Sequence, residues 1–118
     1  MSKFVQVSKT GELGDGTMEA VNVEGREILL ARLGDKYYAA DSNCPHMGGK
    51  LSKGKLEGTV VTCPLHGSQF DLSDGHVVRW LKGAGLASRI GKALKSPRPL
   101  AVHNVKVEDD RILIKIEA

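Results

Sequence analysis

Apolar and polar residues alternate along this chain in short runs, and most runs are separated by glycine-containing turns. The runs predict strands over Phe4–Lys9, Met18–Val23, Arg26–Leu33, Lys36–Ala40, Leu56–Cys63, His76–Trp80, Leu100–Val107 and Arg111–Ile116. The Asp–Gly pair in "SDG" at 73–75 predicts a hairpin turn, because glycine accepts a positive φ. Strands this short and closely spaced favour an all-β protein built as an antiparallel β-sandwich or a small barrel.

One segment, Leu81–Ser96, departs from the strand pattern. Its apolar residues lie four apart and its basic residues three apart on another face: Leu86, Ile90 and Leu94, then Arg89, Lys92 and Lys95. This pattern predicts one short basic helix near 85–95, which Pro97 ends. Its charged face is interpreted either as solvated surface or as a docking patch for an acidic redox partner.

Composition and length limit the classes of protein to consider. A chain of 118 residues with 41% hydrophobic and 26% charged residues is expected to form one domain, 1–118. No apolar stretch is long enough to span a bilayer and the N-terminus has no apolar signal core, so we expect no membrane span and a cytoplasmic protein. The net charge of +3, without basic stretches interleaved with aromatics, gives no indication of nucleic-acid binding.

The two cysteines are each followed closely by a histidine. Cys44-Pro45-His46 and Cys63-Pro64-Leu65-His66 are separated by sixteen residues. In a reducing compartment a metal site is a better expectation than a disulfide for cysteines near histidines. Zinc accepts the same donors, but a zinc finger places both cysteines before both histidines, whereas here each loop carries one of each. The mixed loops suit a centre of two irons.

At these residues the sequence resembles the Rieske [2Fe–2S] proteins, in which two histidines replace two cysteines on one iron. The stretches "CPHMGGKLSKG" and "CPLHGSQFD" are similar to the two cluster loops of that family, and "SPRPL" at 96–100 is similar to its proline-containing loop. The resemblance implies an antiparallel β fold with a two-loop tip. It also implies one [2Fe–2S] cluster per chain, held by Cys44, His46, Cys63 and His66.

The resemblance also points to a branch of the family. Respiratory Rieske proteins carry an extra cysteine in each loop, joined as a disulfide, and Gly49 and Leu65 stand at those positions in this chain. Their cluster also accepts hydrogen bonds from a serine and a tyrosine. Ser68 matches the serine, whereas Phe70 replaces the tyrosine and has no hydroxyl. Fewer donors to the cluster imply a potential in the lower part of the Rieske range of about −150 to +300 mV.

Three functions are compatible with these features, and in none of them does the chain itself carry catalytic residues. The first is a soluble one-electron carrier, a ferredoxin that passes electrons from a reductase to an oxygenase or another redox enzyme. The second is a fixed small subunit of a larger oxidoreductase, similar to that of assimilatory nitrite reductase. The third is a non-redox zinc-binding module.

Two histidines and two apolar residues remain outside the ligand pattern. His76 and His103 lie in predicted strands without ligand spacing, and both are expected at the surface or at a sheet edge. Trp80 is expected to pack in the core. Met47 follows a predicted ligand and either shields the cluster or packs within its loop.

Overall fold

The computed structural model describes residues 4–44, 49–64, 67–79 and 99–116. These residues form ten strands: β1 Val5–Lys9, β2 Met18–Val23, β3 Arg26–Leu33, β4 Lys36–Asp41, β5 Lys55–Glu57, β6 Val60–Thr62, β7 Gln69–Asp71, β8 Val77–Arg79, β9 Val102–Glu108 and β10 Arg111–Lys115. The strands make two sheets in which every pairing is antiparallel, with the orders β1-β10-β9-β4-β3-β2 and β5-β6-β7-β8. The all-β, antiparallel fold class predicted from the sequence is confirmed.

The structure differs from the predicted strands in two places. The run Leu56–Cys63 is a hairpin, not one strand, because the chain reverses at Gly58, whose φ of +59° suits glycine. Strand β7, which does not coincide with any predicted run, pairs with β6 on one side and β8 on the other. The predicted hairpin at 73–75 is confirmed, and Gly75 has a φ of +84°.

The predicted helix near 85–95, with Arg89, Lys92 and Lys95, lies outside the described residues, as do Met47 and Trp80. Within the described part the helical residues are those of a 3₁₀ turn, Leu51–Lys53. No helix among the described residues is long and apolar enough to cross a membrane.

The six-stranded sheet curls until its edge strands β1 and β2 approach each other. Strand β3 shows why the curled sheet has two buried faces. Ile28 and Leu30 pack in one core with Ile112 and Ile114 of β10, whereas Leu29 and Ala31 belong to a second core. Successive side chains of a strand point to opposite faces, so an uninterrupted apolar run in β3 serves both cores.

The second core lies under the four-stranded sheet. Its buried members from that region include Leu51, Val61, Phe70 and Leu72. Both cysteines, Cys44 and Cys63, belong to the same core. The loops that carry the sequence-predicted ligands are therefore anchored where the small sheet packs on the large one.

Candidate iron–sulfur site

The two cysteines lie in two loops that meet at one core. Cys44 follows β4 and Cys63 follows β6, and their residues are 2% and 3% exposed. Neither is in a disulfide. The structure therefore brings together the two sequence-predicted thiols, while His46 and His66 lie outside the described residues.

The first loop is closed at its base by backbone hydrogen bonds. The Leu51 amide donates to the Ser42 carbonyl at 2.8 Å, and the Cys44 amide donates to the Gly49 carbonyl at 2.7 Å. Asn43 and Lys50 form an isolated antiparallel bridge between these two bonds. Cys44 is thus fixed at the narrow base of its loop.

A carboxylate from the large sheet reaches both sides of this base. The Ser42 hydroxyl donates to Glu27 Oε2 at 2.7 Å, and Lys50 Nζ lies 3.3 Å from Glu27 Oε1 and 3.3 Å from Asn43 Oδ1. Ser42 is fully buried, whereas the ion pair between Lys50 and Glu27 is partly exposed. The Ser42 hydrogen bond, followed by that of Lys50, holds the pKa of Glu27 below its ordinary value. Glu27 therefore links the two strands of the loop base.

The second loop is closed by its own backbone and by an arginine. The Cys63 amide donates to the Ser68 carbonyl at 2.8 Å, and the Gly67 amide donates to the Cys63 carbonyl at 3.1 Å. Arg79 Nε and Nη2, at the end of β8, both donate to the Gly67 carbonyl, at 3.1 Å and 3.0 Å. A cationic side chain from outside the loop therefore holds the residue that follows predicted ligand His66.

Gly54 keeps the two loop regions in contact. A Cβ at this position would lie 1.8 Å from the Thr62 carbonyl oxygen and 3.2 Å from Pro64 Cδ. The φ of Gly54 is −90°, so close approach, not backbone conformation, requires glycine here. The segment after the first loop consequently lies directly against the strand that leads to Cys63.

Ser68 and Phe70 are both fully buried beside the second loop. Phe70 lies opposite Val61 across β6 and β7 and shares the core of both cysteines. Both residues are thus close in the fold to Cys63. Their effect on the reduction potential stays a prediction.

The two remaining histidines have different environments. His76 is at the surface as predicted, with a side chain 57% exposed and Nδ1 2.6 Å from Asp74 Oδ1. The prediction for His103 is wrong: its side chain is 0% exposed, because β9 is an interior strand and His103 lies opposite the small residue Ala39.

A polar network around His103 was missed by sequence reasoning. His103 Nε2 lies 2.9 Å from Asp41 Oδ1, which also accepts a hydrogen bond from Arg26 Nη2 at 3.2 Å. Nothing in the spacing of these residues connects them, since the contact depends on the pairing of β3, β4 and β9. Asp41 lies three residues before Cys44, at the end of the strand that leads into the first loop.

The described donors fit a soft metal centre. Two buried thiols in one core, neither oxidised to a disulfide, are the sulfur ligands that an iron–sulfur cluster takes. The described residues alone hold no group of three or more potential metal ligands, which agrees with the predicted histidines lying outside them. When bound, such a cluster supplies a one-electron redox centre.

Comparison with known proteins agrees with this donor set. Residues 3–88 match the family described as the Rieske [2Fe-2S] domain. The chain is 32% identical over 116 residues to the ferredoxin component of the naphthalene 1,2-dioxygenase/salicylate 5-hydroxylase systems of a Ralstonia species, covering 97% of this chain and 96% of that protein. It is 29% identical, with the same coverage, to the ferredoxin component of the naphthalene 1,2-dioxygenase system of Pseudomonas putida.

Solved structures show the same relationship. The ferredoxin of carbazole 1,9a-dioxygenase from Nocardioides aromaticivorans IC177 superposes with a TM-score of 0.76 at 26% identity, covering 95% of this chain and 96% of that one. The terminal oxygenase of the same system superposes with a TM-score of 0.80 at 26% identity, but only 30% of the oxygenase chain is covered. The matched length is therefore that of the ferredoxins.

Proposed function

Because the chain belongs to the Rieske [2Fe–2S] family and carries one such cluster, we propose that it is a ferredoxin, a one-electron carrier between a reductase and a terminal oxygenase. The observation that carries this proposal is the match over 97% of this chain to ferredoxin components, of whose length it covers 96%. Rieske oxygenases are matched over only part of their length. A structure of a related ferredoxin in complex with its oxygenase, at 28% identity, supports the choice of acceptor class.

We propose that Cys44 and Cys63 bind one iron and that His46 and His66 bind the other. Three features of the described loops support the assignment of the two cysteines: both thiols are buried, no disulfide joins them, and each loop is closed at its cysteine. Cysteines that are not joined as a disulfide also agree with the ferredoxin branch and with a cytoplasmic location, which we infer. A single domain over 1–118 is supported by the near full-length match to the relatives.

In this proposal the protein positions the cluster and keeps water from its sulfur side. Buried Leu51, Phe70 and Leu100 share the core of the thiols and exclude solvent there. A low-dielectric environment around the thiolates strengthens the hydrogen bonds that they accept and their electrostatic interactions with nearby charges. The docking patch predicted at Arg89, Lys92 and Lys95 lies outside the described residues and is not part of the proposal.

The test is spectroscopic and chemical. The purified chain should contain iron and sulfide in equal amounts, give an EPR signal after dithionite reduction, and reduce cytochrome c by single-electron transfer. A colourless, zinc-containing protein would contradict the cofactor. Constant co-purification with a large catalytic subunit would contradict a free carrier.

The ligand set has its own test. One of the two sets of nitrogen hyperfine couplings in the reduced cluster should disappear, or the cluster should be lost, in His46→Asn and likewise in His66→Asn. His76→Asn is the matched control, because His76 is exposed and contacts Asp74 in a turn outside the two cysteine-containing loops. Unchanged nitrogen couplings in both ligand variants would contradict the assignment.

A further inference from the structure

Arg79 lies outside both cluster-binding motifs, yet it contacts the second loop. Two guanidinium nitrogens donate to a single acceptor, the Gly67 carbonyl, at 3.1 Å and 3.0 Å. The amide of the same glycine donates to the Cys63 carbonyl at 3.1 Å. Gly67 therefore connects the Arg79 guanidinium to the backbone of Cys63, a proposed ligand.

The pairing of strands fixes the arginine in this place. Arg79 lies opposite Gln69 across β7 and β8, and the register shifts between Gln69 and Phe70. Gln69 is itself fixed, because its side-chain amide donates to Thr62 Oγ1 at 3.1 Å. Irregular pairing of this kind redirects a side chain, and here Arg79 reaches back along the sheet to the loop.

The charge of Arg79 is not neutralised within the described part of the chain. The lysine at the other loop, Lys50, is paired with Glu27 at 3.3 Å. Arg79 forms no ion pair with a described carboxylate, and both of its hydrogen bonds to the second loop end on a neutral carbonyl. Arg79 is partly buried, so its field is less screened than that of a fully exposed cation.

We propose that Arg79 is a positioning and electrostatic residue of the redox centre, which holds the second cluster loop and raises the reduction potential. Reduction adds one negative charge to the centre, and a fixed cation nearby stabilises the reduced form relative to the oxidised form. The inference rests on the proposed ligand Cys63. It assigns a determinant of the potential to a residue that neither motif contains.

The experiment is a dithionite titration of the holoprotein followed by EPR and visible absorption. Arg79→Gln removes the charge and should lower the midpoint potential, changing the reduction equilibrium constant by about threefold to tenfold. Arg79→Lys keeps the charge and should stay near the wild-type potential. The shift in Arg79→Gln should decrease at high salt, as expected for a partly exposed charge.

Arg111→Gln is the matched control for net charge. Arg111 pairs with Glu108 at the hairpin that joins β9 and β10. The end of β9 that approaches the first loop is the opposite one, at Val102. Its substitution should leave the midpoint potential unchanged.

Three results would overturn the proposal. They are a wild-type potential in Arg79→Gln, an equal decrease in Arg79→Gln and Arg79→Lys, and a shift in Arg111→Gln as large as that in Arg79→Gln. If Arg79→Gln assembles no cluster, Arg79→Lys decides: a wild-type potential supports the role of the charge, and a lowered one contradicts it. A wild-type chain without any cluster would instead overturn the proposed function itself.

Discussion

Gly54→Ala tests whether the two cluster loops depend on close backbone contact. A Cβ at residue 54 would lie 1.8 Å from the Thr62 carbonyl oxygen, whereas such contacts essentially never fall below 3.0 Å. The two segments would have to separate by the difference, about 1.2 Å, and the atom in the way belongs to the backbone and cannot rotate aside.

The displacement would spread to both neighbours of Thr62 in the sheet. Thr62 pairs with Lys55 of β5 and with Gln69 of β7, and Cys63 follows it directly. Overpacking a tight site costs about 1–3 kcal/mol. If about 2 kcal/mol of this cost is relieved when the site opens, the cluster should be lost about 30-fold faster.

The assay follows loss of visible absorption from the holoprotein in the presence of an iron chelator at fixed temperature. Gly14→Ala is the control for adding a methyl group, because its Cβ would meet Thr17 at an ordinary distance of 3.6 Å. Gly58→Ala is the control for backbone strain, since its Cβ meets nothing within 4 Å but its φ is +59°. A rate of cluster loss in Gly54→Ala equal to that in Gly14→Ala would refute the reasoning.

Three further predictions address the surroundings of the site. Phe70→Tyr should raise the midpoint potential by roughly 40 mV, because a hydroxyl that donates to the cluster would favour the reduced state by about 1 kcal/mol. An unchanged midpoint potential in a redox titration would contradict this. His103→Leu should lower the free energy of unfolding by about 1–3 kcal/mol in denaturant, because Asp41 loses a buried partner. His76→Asn, at an exposed histidine, should change the free energy of unfolding by less than about 0.5 kcal/mol. Glu27→Gln should lower the thermal midpoint at neutral pH, because the Ser42 hydrogen bond depresses the pKa of Glu27 and so stabilises the folded state. This stabilisation is lost as pH falls through the lowered pKa, so a difference from wild type that does not shrink as pH falls through the acidic range would refute this role.

Local patterns in the sequence were sufficient for most strands, but not for β7 or for the division of Leu56–Cys63 into β5 and β6. The boundaries of β2 and β3 agree with the predicted runs because polar turns limit both strands. The hairpin within Leu56–Cys63 was not predicted, because the β-branched residues next to the turn favour a continuous strand through Gly58. The proposed metal ligands follow from the sequence because cysteine and histidine close together on two loops are uncommon for other reasons.

Contacts between strands distant in sequence could not be predicted in the same way. His103 is buried because β9 pairs with β4, and its contact Asp41 lies 62 residues earlier in the sequence. The sequence of a strand does not by itself show whether it is an edge or an interior strand. Glu27 and Arg79 reach their loops from 15 and 12 residues away. Their roles depend on register, which is determined by the packing of the whole sheet.

The two cluster loops are held by side chains of opposite charge, and this difference has a consequence for the potential. Glu27 holds the first loop, but its charge is balanced by Lys50 at 3.3 Å. Arg79 holds the second loop and has no carboxylate partner among the described residues. Of these three charged side chains, Arg79 alone lacks an opposite charge among the described residues, and under the proposal above its cation favours the reduced centre. Phe70 lacks the tyrosine hydroxyl of respiratory Rieske proteins and is predicted to act in the opposite direction. Arg79 should therefore keep the potential of this ferredoxin above the lower end of the Rieske range, which is about −150 mV.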